Sequence, residues 1–109
     1  MIRANLELSY SNGVKDFTSC DFQSQDLTGL FFEGCNFKSA NFSNCNLINT
    51  VFEDCDLSST NFSNSILDNA IFINCDVDGD TTFSNAQCID VDAEEWMVDW
   101  LITTGAVFE

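Results

Sequence analysis

Six cysteines are the most reactive side chains in this sequence, and three of them, Cys35, Cys55 and Cys75, recur every twenty residues. A row of thiols at one interval could hold a soft metal or cycle between thiol and disulfide. The remaining parts of either chemistry are missing. There is no histidine and no Cys-x-x-Cys spacing to complete a zinc site, and thiols stacked on parallel strands point the same way, a poor approach for a disulfide. Cysteine also serves as a small hydrophobe, and packing is the role expected of Cys20, Cys35, Cys45, Cys55 and Cys75. Cys88 falls outside that series and is expected to be the accessible one.

The second candidate is acidic. Asn74, Asp76, Asp78, Gly79 and Asp80 approximate the first half of a calcium loop, with oxygen ligands at alternate positions and a glycine for the turn. The closing glutamate is replaced by Asn85, so turn chemistry is the simpler reading. No nucleophile with its base, phosphate loop or paired carboxylates can be assembled from the remaining residues. The sequence therefore predicts a protein that is not an enzyme and needs no metal or cofactor.

Composition narrows the partners. Three Lys plus Arg against eighteen Asp plus Glu leave a formal charge of −15, which repels nucleic-acid backbones and anionic membranes. Direct binding to either is not expected. The 45% hydrophobic and 13% aromatic content is too high for a disordered acidic tail. The first ten residues lack the unbroken apolar run of a signal peptide, no segment reaches membrane-spanning length, and the cysteines follow a packing phase, which together predict a reduced, cytoplasmic protein.

The elements that position these side chains follow from a period of five. Phe17, Phe22, Leu27, Phe32, Phe37, Phe42, Leu47, Phe52, Leu57, Phe62, Leu67, Phe72 and Val77 are evenly spaced and carry only Phe, Leu or Val. Neither a helix at 3.6 nor a strand at 2.0 produces that interval. Two residues before each lies a mostly small residue, and between them there is usually Asp or Asn. A unit repeated this often signals a solenoid whose units bury their apolar faces only against neighbours.

A longer period is nested inside. Sorted by twenty, the third column is Leu27, Leu47 and Leu67, and the fourth is Phe32, Phe52 and Phe72. Four five-residue sides per coil would stack residues twenty apart at the strand spacing of about 4.8 Å. Each buried Phe or Leu then contributes roughly 1.5–3 kcal/mol against chain entropy. Lys15, Gln25 and Leu30 break the small-residue rule, all in the first coil.

These units resemble the pentapeptide repeat proteins, whose pattern is Ala, then Asp or Asn, then Leu or Phe, then two variable residues. The clearest matches are Ala40-Asn41-Phe42-Ser43-Asn44, Cys45-Asn46-Leu47-Ile48-Asn49, Cys55-Asp56-Leu57-Ser58-Ser59 and Thr60-Asn61-Phe62-Ser63-Asn64. The likeness runs from Lys15 to Gly79. It implies an all-β fold, a right-handed quadrilateral parallel β-helix of about four coils with the central and preceding small residues inside. Activity is not implied by such a scaffold.

The coils need ends. Residues 1–14 are expected to form a strand, Ile2 to Tyr10, and a turn that cover the first coil; residues 15–90 form the coils, with an irregularity near 79–82 where one residue is inserted; residues 91–109 form a helix and tail. Asp92 is the expected N-cap, Glu95 the capping-box partner and Gly105 the stop. Trp96, Met97, Trp100 and Leu101 recur at helical spacing, and should lay an apolar face on the last coil or else form a dimer contact.

Outward positions carry the functional expectation. On three sides the residue before the large one is mostly Asp or Asn, but on the fourth it is Phe31, Val51 and Ile71. Ile73 lies beside this column, with Ile48 and Ile66 on the preceding side. An apolar row on a strand-built face marks a partner site or self-association, unless the N-terminal strand or Ala106 to Phe108 covers it. Two functions remain open: a non-catalytic scaffold that docks an unidentified protein partner, or a second copy as a homodimer, through its apolar face or its ordered Asn and Asp rows, and, by family resemblance, an acidic DNA mimic acting on DNA gyrase or another type II topoisomerase. The four coils predict a rod of about 20 Å, short for a duplex mimic.

Overall fold

The computed structural model describes residues 2–108; Met1 and Glu109, at the outer ends of the expected cap segments, lie outside it. The repeat winds into four-sided coils. Parallel bridges link Asp16 to Asn36, Asp56 and Asp76 on the first side, and Asp21 to Asn41, Asn61 and Thr82 on the second. The third side stacks Asp26, Asn46, Ile66, Gln87 and Val107. On the fourth, β1 (Phe31–Glu33), β2 (Val51–Glu53), β3 (Ile71–Ile73) and β4 (Asp92–Ala93) form a parallel sheet in that order. Phe31 pairs with Val51, Val51 with Ile71 and Ile71 with Asp92.

Each corner is a sequence-encoded turn. Every fifth residue from Ser19 to Asn74 has a positive φ, between 51° and 62° at the non-glycine corners. This left-handed region crowds a β-branched side chain but is tolerated by Asn, Asp and Gly, and those residues or Ser fill the corners. On the first three sides the turn closes with a backbone bond such as Ala40 N–H to Phe37 O, 2.9 Å. The preceding Asp or Asn adds a second clasp, its Oδ1 accepting the N–H two residues on: Thr18 to Asp16, Ser43 to Asn41, Ser63 to Asn61. These rows, which the sequence offers as docking surface, are turn chemistry first.

The centre is closely filled. Twelve of the thirteen period-five positions, Phe17 through Phe72, are buried, whereas Val77 is only partly so. Aromatic columns stack: Phe22 on Phe42 at 4.8 Å, Phe42 on Phe62 at 5.1 Å and Phe52 on Phe72 at 5.3 Å between ring centroids. Neighbouring columns meet edge to face, as Phe42 does with Phe52 at 80°, so stacked and T-shaped geometries alternate around the coil. The small inward residues are more than spacers. Thr50, Thr60 and Thr81 hydroxyls donate to the carbonyls of Leu27, Phe37 and Leu57 one coil below at 2.8–2.9 Å, and Cys45 and Cys75 thiols do the same to Phe22 and Phe52.

The inserted residue is absorbed at a single corner. Asp78 Oδ1 accepts the N–H groups of Ser59, Asp80 and Thr81, and its Oδ2 accepts the Ser59 hydroxyl. The calcium-like segment is thus held by its own turn, and among the described residues no cluster of His, Cys, Asp or Glu suits an ion.

Both ends differ in detail from the sequence expectation. The N-terminal segment is a helix, α1 (Arg3–Ser11), not a strand. Leu6 and Tyr10, one turn apart, face the first coil; Leu6 is fully buried and the Tyr10 ring meets Phe32 edge-on at 5.5 Å. The apparent alternation misleads because Ile2 and Leu8 stand in solvent. This helix also closes the open β edge. The Glu33 N–H donates to Tyr10 Oη, Lys15 Nζ donates to Glu33 O at 2.8 Å, and Arg3 reaches Asp26 O at 3.1 Å while pairing with Glu7.

At the other end α2 (Glu95–Thr103) covers the last coil. Asp92 is not its cap: it lies in β4, and Glu94 occupies the cap position with its Oε1 turned to the Asn74 N–H, 2.7 Å. Met97 and Leu101 are buried and Trp100 partly so, but Trp96 is 48% exposed and lies off the covering face. The tail 105–107 adds a fifth rung to the third side, with Cys88 N–H donating to Val107 O. The Cα extents are 35 × 22 × 20 Å.

Candidate interaction surface

The apolar row is present and uncovered. Phe31, Val51 and Ile71 stack in register on the outer face of β1–β3, with Phe31 49% exposed and the other two half-buried. Neither terminal segment lies over them: α1 closes the bottom edge and the tail stacks on the third side. Of the three further residues singled out from the sequence, Ile73 shares the face, in register with Glu53. Ile66 is isolated between Asn46 and Gln87 on the third side, and Ile48 sits past Leu47 at that side's turn. The continuous feature is therefore the three-residue column, ending at Asp92.

Sequence reasoning missed what runs beside it. Alternation along each three-residue strand turns Glu33 and Glu53 outward next to Phe31 and Val51. The fourth side thus presents an apolar row and, beside its first two rungs, a pair of carboxylates whose row continues as Ile73 on the third; neither carboxylate has an ion pair among the described residues. The signal was present as the recurring Phe-Phe-Glu and Val-Phe-Glu triplets.

Charge is also graded along the axis. Two of the three cations, Arg3 and Lys15, are engaged at the N-terminal edge, and Lys15 sits over the Tyr10 ring at 4.3 Å. Beyond Lys38 the chain has no Lys or Arg. Local bonds keep three of the carboxyls ionised to lower pH: the Thr18 hydroxyl and N–H hold the Asp16 carboxyl below its ordinary value, Thr28 does so for Asp26, and the Ser59 N–H does so for Asp78.

The thiols are interior. All six cysteines are free; Cys88, expected to be accessible, is fully buried, and Cys20 is the half-exposed one. The correction follows from the insertion, which shifts Cys88 into a central slot above Leu67. Burial pushes its thiol up to about 12 and raises Cys45 as well, while thiol bonds along the Cys35, Cys55 and Cys75 column lower Cys35, raise Cys55 to about 12 and, with burial, raise Cys75.

Comparison with known proteins places this architecture. A family model described as the pentapeptide repeat region matches residues 26–101. The chain belongs to the pentapeptide repeat family, and its coil is the right-handed quadrilateral β-helix of that family. It is similar to QnrB1, a plasmid-mediated fluoroquinolone resistance protein, at 26% identity and a TM-score of 0.58, over 86% of this chain and 57% of that one. HetL, a pentapeptide repeat protein involved in heterocyst differentiation regulation from the cyanobacterium Nostoc sp. strain PCC 7120, is similar at 19% identity and a TM-score of 0.52, over 84% of this chain and 46% of its own. The chain spans about half the length of these two proteins. A comparison with curated proteins gave no match. Among the described residues no helix is long and apolar enough to cross a membrane.

Proposed function

We propose that the protein is a non-catalytic scaffold that engages a protein partner through the fourth side of its coil. The observation that carries this reading is the in-register column of Phe31, Val51 and Ile71, left uncovered by either terminal segment. An apolar row on a rigid face loses free energy to water until a partner removes it. The interior supports the same reading, since stacked side chains fill the space in which a catalytic pocket would be built. The test is a Val51→Asp, Ile71→Asp double variant compared with the parent for bound protein, mass in solution and thermal midpoint. Loss of the bound protein, or of a homodimer, with the coil intact supports the scaffold; retention of both contradicts it.

A second reading is an acidic DNA mimic that binds DNA gyrase or another type II topoisomerase. It is supported by the cation-free stretch beyond Lys38, by the likeness to QnrB1, and by a long dimension of 35 Å, equal to about ten base pairs at 3.4 Å each. Inhibition of gyrase supercoiling or relief of quinolone poisoning, weakening as salt rises, supports it. No effect at high protein concentration removes it.

A further inference from the structure

The two rows of the fourth side define what kind of partner fits, given the reading of that side as the docking face. The apolar row repeats once per coil, so Phe31 to Ile71 spans two rungs, about 9.6 Å at the strand spacing. An α-helix laid along the solenoid axis places residues i and i+7 about 10.5 Å apart, with i+3 or i+4 between them. A strand laid the same way repeats every 6.6–6.8 Å or so, and falls out of step by the second rung. The acidic row is the second constraint. Glu33 and Glu53 follow the same rung spacing beside the apolar residues and have no ion pair among the described residues.

We propose that the fourth side binds a basic amphipathic helix of a partner protein, parallel to the coil axis, its apolar stripe on Phe31, Val51 and Ile71 and its Lys or Arg row against Glu33 and Glu53. Charge complementarity selects this occupant over a second copy of the chain, because a net charge of −15 on each copy opposes pairing of acidic rows. The apolar stripe supplies the contact; the cationic row sets its orientation and its salt dependence.

The probe is a synthetic helical peptide with leucine at heptad a and d positions and lysine along one flank, titrated into the full chain at low and high salt. Binding is expected to weaken about tenfold or more in Val51→Asp, and to weaken and lose much of its salt dependence in Glu53→Lys. An outward change on the second side, Asn61→Asp, should leave it unchanged. Glu53 is a solvent-side position, so its variant tests the proposal even if Val51→Asp unfolds. Equal binding by all variants, or equal affinity for the same peptide with glutamate replacing lysine, overturns the proposal. Should the column variants release a protein partner or a second copy while the basic peptide never binds, the partner chemistry fails and the scaffold reading stands.

Discussion

Phe62 and Phe83 lie parallel to within 2°, their ring centroids 4.8 Å apart, although twenty-one residues rather than twenty separate them. The extra residue leaves no trace in the aromatic column because Asp78 gathers three N–H groups at one corner and Thr81 resumes the inward slot, its hydroxyl on Leu57 O. The stack thus tolerates a change of loop length but depends on every ring being present.

Removing a ring should be costly. Phe52 stacks between Phe32 and Phe72 and meets Phe37, Phe42 and Phe62 edge-on. Phe52→Ala should lower unfolding free energy by about 3–5 kcal/mol in a denaturant titration, whereas Trp96→Ala, at a half-exposed position, should stay within about 0.5 kcal/mol.

The corners should discriminate by backbone rather than by contact. Asn64 sits at φ 59°. Asn64→Gly should be close to neutral, and Asn64→Val should destabilise by about 1–2 kcal/mol because a β-branched residue resists the left-handed region. Equal effects from the two substitutions, measured by thermal unfolding, would argue against this account of the turn.

Acid should loosen the coil from its clasps. Asp16 and Asp78 have carboxyls held below their ordinary value of 3.8 by the Thr18 hydroxyl and the Ser59 N–H respectively. A lowered folded value means the stabilisation is present above 3.8 and is lost as pH falls below it. The melting midpoint should drop there. Asp78→Ala should lower the midpoint at neutral pH, and Asp78→Asn should do so less, because an amide oxygen still accepts the corner N–H groups.

Base should act on the thiols. Burial raises Cys45 and takes Cys88 to about 12, from an ordinary value of 9.0. Unfolded thiols ionise first, so stability should fall as pH rises from 9.0 towards 12. In a thiol-labelling time course at neutral pH, Cys20 should react first and the five buried cysteines together with unfolding; rapid labelling of Cys88 would contradict its placement.

The sequence was most readable where one rule repeats. Thirteen large residues at one interval determine the coil, because only a four-sided winding brings Leu27, Leu47 and Leu67 into one column. It was least readable where the repeat stops. At α1 the pair Leu6 and Tyr10 has helical spacing, but Ile2 and Leu8 between and before them imitate a strand, and only the shape of the first coil decides between them. Asp92 has the side chain of a helix cap, yet the sheet continues through it and shifts the helix start to Glu95. The apolar column was visible from its spacing. Its acidic companions were signalled only by the Phe-Phe-Glu and Val-Phe-Glu triplets, and reading Glu33 and Glu53 as outward from these requires true strand geometry on the fourth side alone.

The direct test of the central claim is a photo-crosslinking side chain placed in living cells at Ile71, on the apolar column, and in a separate variant at Asn61, on the second side. A protein partner joined through position 71 and not through position 61 is the predicted result. Crosslinks from position 61 with none from position 71 would contradict the assignment of the docking face.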